Sequence, residues 1–301
     1  MKNHLSLIVI LISFTLFSQN PSSYANEIKA DELKEKLYTY ASDEFQGRET
    51  GTEGQKIAVE YLKQSYQVLG VSSAKSDGNY FQNVPLKRIK TPKVSISIGG
   101  KAYSYYDDFV AVASGESKII ETNEFVYVGY GIKTTSYNDY ENLDVNGKIV
   151  VAINGEPKDN NGTYIVSGTN EISKWSNGRQ ALSSKRNLAK ELGATAFFLI
   201  DNNMFKRYSS YYEALEKRGG ESNLALDVDS NSFYGFLGSK EMGMNLIKEK
   251  NGVYKQNISI DFENISEPIG SENVVAMIPG KEKPEEYIIL SAHLDHVGMH
   301  D

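Results

Sequence analysis

Tyr287-Ile288-Ile289-Leu290-Ser291-Ala292-His293-Leu294-Asp295-His296-Val297-Gly298 sets two imidazoles and a carboxylate directly after a run that is almost wholly apolar. Such a run predicts a strand over 287–292, buried on both faces of a sheet. His293 then stands at the carboxyl end of that strand, where open α/β sheets gather ligand and catalytic groups. In extended backbone, residues i and i+2 point the same way, so His293 and Asp295 share a side and His296 faces the other. Neutral imidazole is a favoured zinc ligand, and a neighbouring carboxylate fixes its tautomer and orientation. His293 therefore reads as a metal ligand with Asp295 as its orienting acid. A structural His–Asp pair at a strand end is the other reading. His296 either lines a substrate pocket or lies on the surface, and His300 and Asp301 are unassigned.

The 301 residues suggest about two domains. The chain is 40% hydrophobic and 24% charged, which are globular proportions. Its net charge of −7 argues against a nucleic-acid binder that works by broad charge attraction. There is no cysteine, which excludes disulfides, thiolate-ligated zinc, iron–sulfur clusters and a thiol nucleophile. At the N-terminus, Lys2 precedes the apolar run 5–17 and then Ser23-Tyr24-Ala25. That run is shorter than the ~20 residues of a membrane span and fits a secretory signal peptide over 1–25. A buried N-terminal helix and an uncleaved anchor are the other readings. Cleavage removes His4 and leaves every remaining histidine between His293 and the last residue. The mature protein is expected to be secreted or periplasmic, with no membrane contact after cleavage.

Asp31 is placed to cap a helix carrying Leu33, Leu37 and Ala41. Thr52-Glu53-Gly54-Gln55 reads as a capping box, opening a second helix that ends at Gly70. The period then changes to two. Val94, Ile96 and Ile98 lead through Gly99-Gly100 into 101–105 as a hairpin. Strands are expected over 125–128, 148–153, 196–200 and 258–262, with helices over 179–192 and 239–250. The stretch 202–232 is polar, rich in tyrosine and weakly periodic, and reads as a long surface loop with one short helix near 211–217. A strand over 273–278 and a turn at Pro279-Gly280 lead into the 287–292 run.

Other chemistries find no support. There is no His-Glu-x-x-His helix site, no Gly-x-Ser-x-Gly elbow and no P-loop. Gly129-Tyr130-Gly131 lacks the third glycine of a dinucleotide fingerprint, and the glycosylation sequons at Asn161, Asn257 and Asn264 carry little weight.

Three groups of residues together resemble a known family. They are Asp43-Glu44-Phe45-Gln46-Gly47-Arg48 with Gly51-Thr52-Glu53-Gly54; Asn273-Val274-Val275-Ala276-Met277-Ile278-Pro279-Gly280; and Ile289 through Gly298. They resemble the exported zinc peptidases of the aminopeptidase Y type, a group of bacterial aminopeptidases and glutamate carboxypeptidases. Val128-Gly129-Tyr130-Gly131-Ile132, Tyr137-Asn138-Asp139-Tyr140 and 144–151 resemble the protease-associated domain often inserted there. The resemblance implies an α/β fold: a mixed-sheet zinc exopeptidase domain over 26–105 and 265–301, interrupted by an α+β insert over 106–264. It implies two zinc ions, a peptide substrate, His293 as a zinc ligand and Asp295 as its orienting partner. The family's bridging Asp, Glu–Glu pair, further Asp and second His are expected after Asp301, so the chain looks like the front part of such an enzyme. By itself it is expected to show no turnover and to expose an unpaired sheet edge. A non-catalytic binding or scaffold module built on the insert is the alternative, and a serine hydrolase using His293 is a weaker third. No sequence feature specifies an oligomeric state.

Overall fold

The computed structural model describes residues 21–113, 115–217, 221–227 and 233–299. Most of the expected signal segment, with His4, and also His300 and Asp301, lie outside them. The chain divides into two compact units, one of Met1–Val84 with Gly270–Asp301 and one of Pro85–Ile269. In chain order the first elements are helices α1 (Pro21–Ala25) and α2 (Ala30–Tyr40), a 3-10 turn (Asp43–Arg48) and helix α3 (Glu53–Val68). Strands β1 (Ser72–Ser73), β2 (Phe81–Lys90), β3 (Lys93–Ile98), β4 (Lys101–Tyr103), β5 (Phe109–Ala113), β6 (Lys118–Tyr127) and β7 (Ile149–Ile153) follow. Then come α4 (Gly178–Glu191), β8 (Ala196–Ile200), α5 (Asn202–Lys217), β9 (Glu221–Leu226), β10 (Tyr234–Gly238) and α6 (Lys240–Leu246). The last elements are β11 (Gly252–Glu263), β12 (Ser266–Val274) and β13 (Ala276–Met277).

The Pro85–Ile269 unit is built on an eight-stranded mixed sheet of order β4-β3-β11-β6-β7-β8-β10-β5. Its centre, β6-β7-β8-β10, is parallel, and the flanking pairs are antiparallel. The continuous apolar runs of β7 and β8 predict burial on both faces, and that is what they show. Alternation sends Ile149, Val151 and Phe198 to one side, with Met242 and Leu246 of α6. Val150, Ala152, Phe197 and Leu199 go to the other, with Leu182 and Ala189 of α4 and Met204 and Phe205 of α5. At the tip of the β3–β4 hairpin Gly99 and Gly100 have φ of 60° and 83°, the two positive values that a tight right-twisting hairpin needs.

Three charged side chains, Asp139, Glu156 and Lys185, are buried among the described residues of this unit. Lys185 of α4 is 0% exposed, and its ammonium donates to the carbonyls of Tyr130 at 2.6 Å, Gly155 at 2.7 Å and Ile153 at 3.2 Å. It thereby ties α4 to the chain leaving the ends of β6 and β7. Burial pushes Lys185 down from 10.5 to about 7, against the opposing pull of Asp139, Glu156 and Asp201. An unfolded lysine keeps its proton up to ~10.4, so between pH 7 and that value the unfolded chain binds more protons than the folded one. Stability is therefore expected to rise with pH across this window, by up to ~1.4 kcal/mol per pH unit. Urea unfolding followed by the fluorescence of Trp175, the chain's single tryptophan and a buried residue of this unit, reads it directly. A flat or falling profile from pH 7 to ~9.5 would contradict it.

Three expectations are corrected. The stretch 202–217 is a 16-residue helix rather than mainly loop, and Glu221–Leu226 is a strand; the expected loop residues 228–232 lie outside the described residues. The helix after Ser239 ends at Leu246, because Ile247 takes extended backbone. The third concerns 287–292, which is not a strand: the described residues after Met277 form no helix or strand. Ile288 and Leu290 are 94% and 93% exposed. A strand is held by the N–H and C=O groups of a neighbour, and none of the described strands pairs with this run. The large mixed sheet is the one in Pro85–Ile269, while the sheet confined to the other unit is the two-stranded β1-β13.

Candidate metal-ligand segment

In the unit that carries His293, local sequence first shapes the segment 43–55. Phe45 is buried and contacts the rings of Tyr40 and Tyr61, with centroids 5.3 and 5.4 Å away. The chain then makes a left-handed turn, with φ of 48° at Gln46, 71° at Gly47 and 65° at Arg48. Two non-glycine residues in that region, Gln46 and Arg48 on either side of Gly47, are uncommon. Thr52 is the N-cap residue of α3 as expected, but the capping box closes differently. The Thr52 hydroxyl donates to the Glu49 carbonyl at 2.6 Å, while Gln55 Oε1 accepts from Gly51 N–H at 2.6 Å. The same amide's Nε2 donates to Ser271 Oγ of β12 at 2.8 Å, and both of these residues are buried. One glutamine thus ties the start of α3 to the strand that leads toward the histidines.

The segment 294–298 rests against this turn. The Leu294 carbonyl accepts from Tyr40 OH and from Arg48 Nε, each at 3.1 Å. Arg48 Nη1 donates to the Tyr40 carbonyl, and its guanidinium lies 4.4 Å from the centre of the Tyr40 ring. His296 N–H donates to the Arg48 carbonyl at 3.1 Å. Thr50 Oγ1 donates to Asp295 Oδ2 at 3.2 Å. A Cβ on Gly47 would overlap the Val297 carbonyl oxygen, and one on Gly298 would overlap the Glu49 carboxylate, so these glycines permit the close approach. Burial raises the Tyr40 phenol above its usual range; Arg48 opposes this and Asp295 adds to it.

His293 and Asp295 come together, though not as a carboxylate–imidazole hydrogen bond. His293 Nδ1 lies 2.9 Å from the Asp295 main-chain oxygen and 3.8 Å from Oδ1. A carbonyl only accepts, so the 2.9 Å contact is a hydrogen bond in the tautomer with the proton on Nδ1, which leaves the Nε2 lone pair available. That is the form in which imidazole binds a metal through Nε2. The side chain is 80% exposed. His296 is exposed and contributes its backbone rather than its ring to the contact with Arg48. A catalytic zinc takes three protein ligands, and among the described residues no group of three His, Asp or Glu side chains could hold a metal ion. The described donors therefore fit one ligand position and not a whole zinc site. Sequence reasoning missed Tyr40, Arg48 and Thr50; the glycines at 47 and 54 were the visible sign that backbone passes close by there.

Comparison with known proteins supplies the remaining findings. The model of peptidase family M28 matches residues 273–301. No curated protein sequence matches the chain. Among solved structures, an aminopeptidase from Aneurinibacillus sp. strain AM-1 is 18% identical, with a TM-score of 0.36 over 83% of this chain and 49% of that one. BSAP, a zinc aminopeptidase from Bacillus subtilis, is 13% identical, with a TM-score of 0.33 over 84% of this chain and 48% of that one. A peptidase M28 precursor from Shewanella amazonensis SB2B is 17% identical, with a TM-score of 0.28 over 88% of this chain and 58% of that one. The chain spans about half the length of these structures, and the stretch similar to the M28 family is the one that holds His293 and Asp295.

Proposed function

We propose that this chain is the front part of an exported, zinc-dependent exopeptidase that removes residues from the N-terminus of peptides. His293 would be a zinc ligand through Nε2, and Asp295 would orient it. The observation that carries this reading is the match of 273–301 to peptidase family M28 over the residues where a hydrogen bond donated by His293 Nδ1 leaves Nε2 free. In the two-zinc arrangement that the resemblance implies, the metals supply polarisation of the scissile carbonyl and an activated water. What this chain's residues do is hold the imidazole: Asp295 through its main-chain oxygen, and the 40–50 segment through the backbone on either side of Asp295. The reading includes a signal peptide over 1–25, export to the periplasm or outside the cell, and a protease-associated-type insert over 106–264. No described helix is long and apolar enough to cross a membrane.

Zinc content and hydrolysis of aminoacyl anilides by the complete gene product test the proposal. His293→Ala is expected to remove bound zinc and to lower kcat/KM by more than ~100-fold, the upper end of what losing a ligand's orienting partner alone costs. The 301-residue chain alone is expected to give no turnover. Zinc and turnover both retained in His293→Ala would overturn the assignment.

A further inference from the structure

We infer that Arg48 is the positioning residue for the His293 imidazole, with Tyr40 as its second arm. The inference rests on the reading of His293 as a ligand. Leu294 lies between His293 and Asp295, and its carbonyl has both acceptor positions used, by Arg48 Nε and by Tyr40 OH. That fixes the peptide plane entering Asp295. The plane leaving Asp295 is fixed by the same residue from its backbone, because His296 N–H donates to the Arg48 carbonyl. The peptide group is rigid and planar, with its N–H and C=O directed oppositely. Holding the His296 N–H on one side therefore aims the Asp295 C=O to the other, and there His293 Nδ1 meets it at 2.9 Å. Arg48 thus grips both peptide planes around Asp295, and the carbonyl so aimed selects the imidazole tautomer.

Arg48 is itself held. Its backbone sits in the left-handed turn, its guanidinium lies over the Tyr40 ring, and a second guanidinium nitrogen reaches the Tyr40 carbonyl. The planar fork of arginine satisfies the Leu294 and Tyr40 carbonyls together, and the single ammonium of lysine cannot reproduce that geometry.

The test needs no metal. Imidazole nitrogen chemical shifts of His293 report the tautomer in the 301-residue chain, at a pH where the ring is neutral, and hydrogen exchange at the His296 amide reports the second plane. The native chain is expected to hold the Nδ1–H form. In Arg48→Met the ring is expected to become a mixture of tautomers, with His296 exchange about tenfold faster. Arg48→Lys is expected not to restore either readout, and Tyr40→Phe to shift the tautomer part of the way. Amides of α3 report whether the unit remains folded. Unchanged tautomer and exchange in a folded Arg48→Met, or full rescue by lysine, would overturn the inference. If Arg48→Met loses α3 protection, Tyr40→Phe decides, and an unchanged tautomer there overturns it. A chain that passes these tests while the complete product binds no zinc would sink the functional reading and leave the clamp standing.

Discussion

Lys185→Ala is expected to lower the unfolding free energy of the Pro85–Ile269 unit by about 3 kcal/mol. The alanine removes a fully buried four-carbon stem, comparable with Met→Ala truncations that cost ~2–5 kcal/mol. It also leaves the carbonyls of Tyr130, Ile153 and Gly155 without their shared donor, at ~1–3 kcal/mol for each one that water does not reach. Against this stands relief from burying an ammonium, the same effect that pushes Lys185 down to about 7. Lys185→Met keeps the stem and removes the donor, so the difference between the two variants isolates the packing, expected at ~2 kcal/mol. Urea unfolding followed at Trp175 measures both, because that ring is buried in the same unit. An alanine variant within ~0.5 kcal/mol of the native chain, the range of an ordinary surface substitution, would show that the three hydrogen bonds contribute little.

What was legible in the sequence follows a physical divide between local and long-range causes. β7, β8 and α4 with Gly193 at its end were readable because their signals lie within the elements: uninterrupted apolar runs, a 3.6 period, and a glycine whose φ of 88° stops the helix. α2 forms where its period places it, but Lys29 is the N-cap residue and Asp31 sits in the first turn. Helix α5 was hidden because its inward face is short. Met204, Phe205 and Ser209 are its buried residues, and the tyrosines around them blur the contrast between faces. The start signal was present all the same, since the Asp201 carboxylate accepts from the N–H groups of Asn203 and Met204. Strand β10 went unread because Gly235 and Gly238 interrupt its apolar pattern. Gly235 is there for proximity, as its Cβ would stand 3.0 Å from that of Ala113 on β5. No local pattern announces such a neighbour.

The same divide runs through the candidate site. The residues at 293 and 295 stood out in the sequence because few side chains suit a metal, and the role proposed for them rests on that chemistry. The pairing expected from i, i+2 geometry was carboxylate to ring, and the structure instead brings the main-chain oxygen of Asp295 to the ring, while its carboxylate turns to Thr50. That outcome depends on Arg48, some 250 residues away in sequence. Alternation along a strand could not have revealed it, since the segment is not in a sheet and is held from one side by a strained turn.

Replacing both Ile288 and Leu290 with lysine is expected to raise the concentration at which the 301-residue chain self-associates by about 100-fold. These residues are 94% and 93% exposed, Ile289 is 84% exposed and Tyr287 69%. Together they form an apolar, β-prone run with free backbone donors and acceptors, the features that let identical segments pair between molecules. Burying a fully exposed Ile or Leu contributes ~1.5–3 kcal/mol. Removing two from the contact therefore withdraws ~3 kcal/mol or more, and each ~1.4 kcal/mol is a factor of ten. The lysines also place like charges together in any in-register pairing. Sedimentation velocity over a concentration series measures the onset. Ile288→Ser with Leu290→Ser separates the two contributions: a shift nearly as large as that of the lysine pair assigns the effect to lost apolar burial, and a much smaller one assigns it to charge. An onset unmoved in both pairs would mean that the run does not drive association, and that the apolar side chains of α2, with Leu33 and Leu37 also more than half exposed, are the next surface to alter.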